Sequence, residues 1–324
     1  MNAQLQAPLP KFKELNVSNR FIGDRQALDA AWQRDGYWFF RDVLDKDVIA
    51  RVRRTYLNYL VDLGAVQLDD SADGYAVRDV SQLPSAVNTT LLNQRRVERM
   101  ITAAPTINAF FNTIFDCDPF WVPFTVHRTV APNADHALPR LEFIHHDGIY
   151  NEGLPFLICW IPLDVIDTEV GGLAVVEGVH RRPTLHRKEG MKIHPIRQED
   201  VPQSAWCGTT YRPGDVLLMS LDTPHSGIRN WSKDRFRFSM DTRVMPSNGA
   251  NLPLVGTVAS VTAEQVVIRD SRGEHTLRFD DRSFVRGFQG DQMPIAEVAK
   301  RYHAGLEVIA AFDGDRVINL RPQT

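Results

Sequence analysis

The chain has 324 residues, 43% hydrophobic and 24% charged, with a formal net charge of −3. That length allows a full core, read as one large domain with an appendage, and the near-neutral balance gives no global electrostatic case for nucleic acid. No run of 18 apolar residues offers a membrane span, Met1 to Lys13 lacks a stretch of signal-peptide type, and Cys117, Cys159 and Cys207 form neither a CxxC pair nor a disulfide framework, which fits a reducing cytoplasm.

Taken in chain order, residues 24–34 read as a helix, with Ala27, Leu28, Ala31 and Trp32 at helical spacing. Asp45 then caps a longer helix whose Val48, Ile49, Val52, Tyr56, Tyr59 and Leu60 recur along one face. Helical pieces follow at 93–103 and 105–115. Residues 69–90 carry little periodicity and read as a pocket-shaping loop. From Trp121 the pattern turns to β: short strands at 121–130, 141–149, 157–162, 173–176, 216–220 and 235–244, each bounded by Gly, Pro, Asn or Asp. Such spacing predicts a closed or sandwiched antiparallel architecture. Between them, residues 181–210 form a long loop, basic at first (Arg181, Arg182, His186, Arg187, Lys188), of a length expected of lids and binding loops.

Composition shifts at 248–253. The boundaries are therefore set at 1–247 for the main domain and 254–324 for the appendage. In the appendage, alternating strands at 256–261, 265–270 and 275–280, a turn at Asp270-Ser-Arg-Gly273, a short helix at 295–302 and a hairpin around Asp313-Gly314 suggest a small SH3-like β-barrel. It is free to pack on the core, mediate a homodimer, or lean over an active site.

The chemistry concentrates in Glu142-Phe-Ile-His-His-Asp-Gly-Ile-Tyr150 and Leu221-Asp-Thr-Pro-His-Ser-Gly-Ile-Arg-Asn230. Residues two apart on a strand point to one side, so His145 and Asp147 offer a nitrogen and a carboxylate oxygen to one ion. His225 would close a set of two His and one carboxylate with open positions, the arrangement of non-haem Fe(II) oxygenases. His146 alternates away from that ion. Downstream, Arg235, Arg237, Ser239, Asp241 and Arg243 share one face of an alternating strand, and Phe236, Phe238 and Met240 share the other. Inward-facing guanidinium groups need an anionic partner, and a dicarboxylate gripped by a bidentate arginine would serve.

Four stretches, in order, resemble the phytanoyl-CoA dioxygenase-like (PhyH) family of Fe(II)/2-oxoglutarate-dependent oxygenases. They are Arg34-Asp-Gly-Tyr-Trp-Phe-Phe-Arg-Asp-Val-Leu44, His145-His-Asp147 with Trp160 on the next core strand, Gly171-Gly-Leu-Ala-Val-Val-Glu-Gly-Val-His180, and Arg212-Pro-Gly-Asp-Val-Leu-Leu218 leading to His225 and Arg237-Phe-Ser-Met-Asp-Thr-Arg243. The resemblance spans roughly residues 30–246. It implies a double-stranded β-helix (jelly-roll or cupin type) core, mainly β with flanking helices, to which the small C-terminal β-barrel-like appendage is added.

It further implies Fe(II) held by His145, Asp147 and His225, with 2-oxoglutarate and O2 as cosubstrates. The cosubstrate arginine is Arg237 or Arg235, with Arg237 favoured, because Phe236 occupies the family's usual position. Trp160 lines the cosubstrate pocket by the same resemblance, and Tyr150, Asn88 and Thr89 are candidate substrate contacts. Ser226 directly follows the distal histidine, one residue early for a cosubstrate contact. Glu177 stands where the family often carries Pro and is read as altering a turn. The implied activity is oxidation, as hydroxylation, of an unactivated C–H bond of a small-molecule metabolite, with release of succinate and CO2. The retained Asp147 argues against halogenation. Desaturation or cyclisation by the same chemistry stays open. So do two readings of other classes, a cupin-like metal-dependent isomerase and a non-catalytic binding module.

Overall fold

The computed structural model describes residues 8–70, 74–81, 83, 90–133, 139–182, 185–189, 192–287 and 292–323. Five antiparallel strands form the larger sheet, in the order Tyr37–Phe40, Val216–Met219, Leu157–Pro162, Arg237–Pro246 and Pro119–Val130. A second sheet holds His225–Gly227, Leu173–Val176 and Trp206–Cys207. The two face each other across Tyr37, Phe39, Ile158, Trp160, Leu217 and Met219 from one sheet and Val175 and Cys207 from the other. This is the mainly β, double-stranded β-helix core that the resemblance implies.

Period-2 alternation explains why the larger sheet is buried on both faces. Trp38, Phe40, Cys159, Ile161, Leu218, Phe238 and Met240 point away from the second sheet into the main core. That core is completed by two helices, Lys46–Asp62 and Pro105–Phe115, through residues including Val52, Tyr56, Leu60, Ile107 and Phe111. Asp45 caps the longer helix, its carboxylate accepting from the Asp47 and Val48 amides. Asp24 caps the Arg25–Asp35 helix in the same way, through the Ala27 amide.

Several predicted elements differ. The helix expected at 93–103 is two short ones, Thr90–Gln94 and Arg99–Thr102, because Arg96 between them takes the left-handed conformation (φ 52°). The strand expected at 141–149 is not continuous. Leu141 and His145 make isolated antiparallel bridges to Ile228 and His225, and Asp147–Tyr150 is a 3-10 turn. The helix expected at 295–302 is a 3-10 turn, Ile295–Glu297, followed by one α turn, Val298–Arg301.

Beyond Pro246, seven strands between Leu254 and Pro322 form a separate sheet around Val258, Val266, Ile268, Val308, Val317 and Leu320. Its edge curls so that Arg278 also pairs with Arg316. A shared apolar cluster of Val122, Leu154, Phe156 and Met245 with Ile309 and Ala311 fastens it to the main body. Gly153 permits this fit: its φ is +76° and a Cβ there would meet Ile318. Among the described residues no helix is long and apolar enough to cross a membrane.

Candidate metal and cosubstrate site

His145 and His225 face each other across one antiparallel pair, each backbone N–H donating to the other's carbonyl at 3.0 and 2.8 Å. Their rings lie 4.3 Å apart between centroids. Each Nδ1 is 3.0 Å from a backbone carbonyl two residues earlier, Phe143 for His145 and Thr223 for His225. Those carbonyls favour the Nδ1–H tautomer and leave both Nε2 lone pairs available as ligands. His146 is extended (φ −122°, ψ 144°), so Asp147 returns to the side of His145 before the chain turns. Ligand atoms of His145, Asp147 and His225 all lie within 4.8 Å of one another. Two imidazoles and a carboxylate at that spacing suit a divalent transition metal with positions left open.

Electrostatics keeps Asp147 and His225 in ligating form. Burial alone would raise the Asp147 carboxyl, but its contact with the His145 ring and the Arg243 guanidinium outweigh it and hold it well below the usual carboxylate range. The Arg243 guanidinium donates to Asp147 Oδ2 at 3.0 Å and to Asp241 Oδ1 at 2.5 Å. Burial, reinforced by the nearby His145, pushes the His225 imidazole down to about 3, so it is neutral at physiological pH.

Arg237 lies on the same cavity. Its Nη1 donates to the carbonyls of Gly171 (2.5 Å) and Ile228 (2.8 Å), while its buried Nε has no hydrogen-bond partner. Among the described residues no carboxylate lies within ion-pair distance of it, although it is only 5% exposed. Burial, with Arg128 nearby, lowers it to about 10. Gly171 makes this seat: at φ +72° it turns its carbonyl to the arginine, and a Cβ there would stand 2.5 Å from the Ile228 and Arg229 carbonyl oxygens. A carboxylate is what the orphaned nitrogen lacks, so these residues fit a keto-dicarboxylate lying between the triad and Arg237.

Trp160, buried, lines the same cavity, and Tyr150 lines it near the His145 ring. Arg235 is placed elsewhere, against the expectation that it shares the Arg237 face. A bend at 233–234 precedes the strand, and Arg235 pairs with Asp167 at 2.8 Å and Glu169 at 2.9 Å, its side chain 38% exposed. Asn88 and Thr89 lie outside the described residues. Ser226 is buried and donates to the Gly227 carbonyl, outside the cavity wall. His146 points to the 181–210 loop, where its amide donates to His186 Nε2 at 3.1 Å. Glu177 does more than alter a turn: it accepts from Lys13, Asn16 and the Tyr37 hydroxyl, tying the N-terminal segment to the core.

The cavity measures about 1410 Å³. Part of its wall went unread in the sequence: Phe124, Asn151, and the appendage residues Arg286 and Arg321. On strand Pro119–Val130, Arg128 faces the cavity, whereas His127 points to the helix side and meets the Tyr56 hydroxyl.

The profile of the family described as Phytanoyl-CoA dioxygenase (PhyH) matches residues 32–239. Two curated relatives are named 1-deoxypentalenic acid 11-beta-hydroxylase. The one from Streptomyces arenae is 26% identical over 239 residues, covering 70% of this chain and 83% of its own. The one from Streptomyces exfoliatus is 27% identical over 241 residues with the same coverage. Among solved structures, the epimerase SnoN in complex with Fe3+, alpha ketoglutarate and nogalamycin RO is 20% identical, covering 91% of this chain and 97% of that one at a TM-score of 0.49.

Proposed function

The chain belongs to the phytanoyl-CoA dioxygenase (PhyH) family, and from that premise we propose that it is an Fe(II)/2-oxoglutarate-dependent dioxygenase that hydroxylates a C–H bond of a small natural-product-like molecule. The observation that carries this reading is one cavity holding both a His-Asp-His donor set and a buried guanidinium without a carboxylate partner. The curated relatives, hydroxylases by name, support hydroxylation over the other outcomes of the same chemistry.

His145, Asp147 and His225 would hold the iron, and Arg237 would take the far carboxylate of 2-oxoglutarate. When bound, that iron and cosubstrate supply O2 activation, with 2-oxoglutarate leaving as succinate and CO2 while one oxygen atom enters the substrate. The chain's own residues do the positioning. Arg243 holds the Asp147 carboxylate ionised and in place. The Phe143 and Thr223 carbonyls fix the two imidazoles. Trp160, Leu173 and Met219 give the cavity apolar wall, which limits water beside the reacting carbon. The volume exceeds the roughly 300–1,000 Å³ usual for one small ligand, leaving room for a bulky substrate beside the cosubstrate.

The test is aerobic turnover of 2-oxoglutarate with added Fe(II), followed as succinate. Wild type is expected to form succinate only with both present, and His225→Ala to form none above the protein-free rate. Equal succinate from wild type and His225→Ala would reject the reading.

A further inference from the structure

The cavity wall farthest in sequence from the triad comes from the C-terminal sheet, through Arg286, Gly287, Glu307, Arg321 and Pro322. Arg321 is the unusual member. It is 5% exposed, sits 3.5 Å over the Phe124 ring, and donates from Nη1 to Asn151 Oδ1 at 2.6 Å. Among the described residues no carboxylate lies within ion-pair distance of it. Of the other buried arginines of this wall, Arg243 has Asp147 and Asp241, and Arg237 faces the seat proposed for 2-oxoglutarate. Around Arg321 the neighbours are themselves cationic, and burial together with Arg286 and Arg243 pushes its guanidinium well below the usual arginine range. Arg286 stands over the Tyr150 ring, 5.6 Å from its centroid. In total, six arginines line the cavity against four carboxylates, and one of those carboxylates, Asp147, is committed to the donor set.

A buried charge with no opposite charge against it is costly even when hydrogen-bonded. The protein does not relieve that cost by letting Arg321 out: the Ile309 and Ala311 cluster and the Gly153–Ile318 contact clamp the appendage onto the core. Asn151 in turn donates to the Asp147 carbonyl at 2.9 Å, so the guanidinium is referenced to the donor set through two hydrogen bonds.

We propose that Arg321, with Arg286 beside it, is a substrate-anion site: the appendage binds a carboxylate or phosphate group of the substrate and so fixes which carbon faces the metal. This deepens the proposed function and rests on it, because the substrate occupies the same cavity as the cosubstrate. The family match ends at residue 239, so Arg286 and Arg321 lie beyond the matched residues.

The test uses the full chain loaded anaerobically with Fe(II) and saturating 2-oxoglutarate, which occupies Arg237. Adamantane-1-carboxylate, 1-adamantyl phosphate and the uncharged adamantane-1-carboxamide are titrated separately, and binding is read by calorimetry and by thermal shift. At least one anion is expected to bind and raise the melting temperature, the amide not; which anion binds more tightly identifies the group. Arg321→Met is expected to weaken that anion by about tenfold or more while leaving 2-oxoglutarate affinity unchanged. Without ligand, Arg321→Met should melt at or above wild type, since it removes an uncompensated buried charge. Arg286→Met, at a less buried position, gives an independent reading, with a smaller loss of anion affinity and normal folding. Equal binding of amide and anions, no binding of either anion, or full anion affinity in both variants would overturn the proposal. Failure of 2-oxoglutarate itself to bind wild type would instead overturn the functional reading beneath it.

Discussion

At the scale of single residues, the donor set was legible because it depends on local spacing. A His-x-Asp pair needs only one extended residue between its members, and His146 provides that even though the surrounding segment is not a strand. What spacing could not reveal is Arg243's task. The alternation of the 235–243 stretch put it on the inward face, but its pairing with Asp147 crosses 96 residues of chain. Its position also passes through an irregularity in the register between Asp241 and Arg243. Because Arg243 both orients and ionises the carboxylate proposed to bind the metal, Arg243→Met is expected to weaken Mn(II) or Fe(II) binding by roughly 10–100-fold, with Arg243→Lys recovering part of the loss. Calorimetric metal titration checks this, and unchanged affinity in Arg243→Met would show that Asp147 needs no such support.

At the scale of elements, helices and strands with strong periodicity and clear caps were read nearly to the residue. Leu157–Pro162, Leu173–Val176 and Pro105–Phe115 stand as expected. The misplacement of Arg235 has a simple cause: alternation orders side chains only along continuous extended backbone. Asn230 and Ser232 side chains both bond the Arg235 carbonyl, folding that stretch into a turn before the strand begins at Arg237.

The layer between helix Lys46–Asp62 and strand Pro119–Val130 carries a pH-dependent contact. There the Tyr56 hydroxyl meets His127 Nδ1 at 2.5 Å in the core. Burial lowers His127 from 6.5 to about 4. The unfolded chain therefore binds a proton that the folded one refuses between those values, and stability falls as pH drops from about 6.5 to about 4. The loss attributable to His127 is on the order of a few kcal/mol. Urea melts of the metal-free protein across that range should show the midpoint falling with acid, and His127→Gln should flatten the fall. Equal slopes for variant and wild type would mean that His127 protonates as readily when folded.

For the molecule as a whole, the two-sheet core followed from strand spacing and from the family resemblance. The appendage's relation to it did not, because its contacts with the cavity join residues more than a hundred positions apart and leave no local pattern. Arg321, Ile318 and Ile309 look in the sequence like ordinary alternating strand residues. Only the packed structure shows that the first lines the cavity while the other two fasten the sheet in place. The central claim, a metal and a 2-oxoglutarate site built from residues of both core sheets, is tested most directly by anaerobic titration of the Fe(II)-loaded protein with 2-oxoglutarate, recording the weak visible charge-transfer band of the chelate. The account predicts a band in wild type, lost in His225→Ala and requiring higher 2-oxoglutarate concentration in Arg237→Ala. Bound iron with no band at any 2-oxoglutarate concentration in wild type would contradict it.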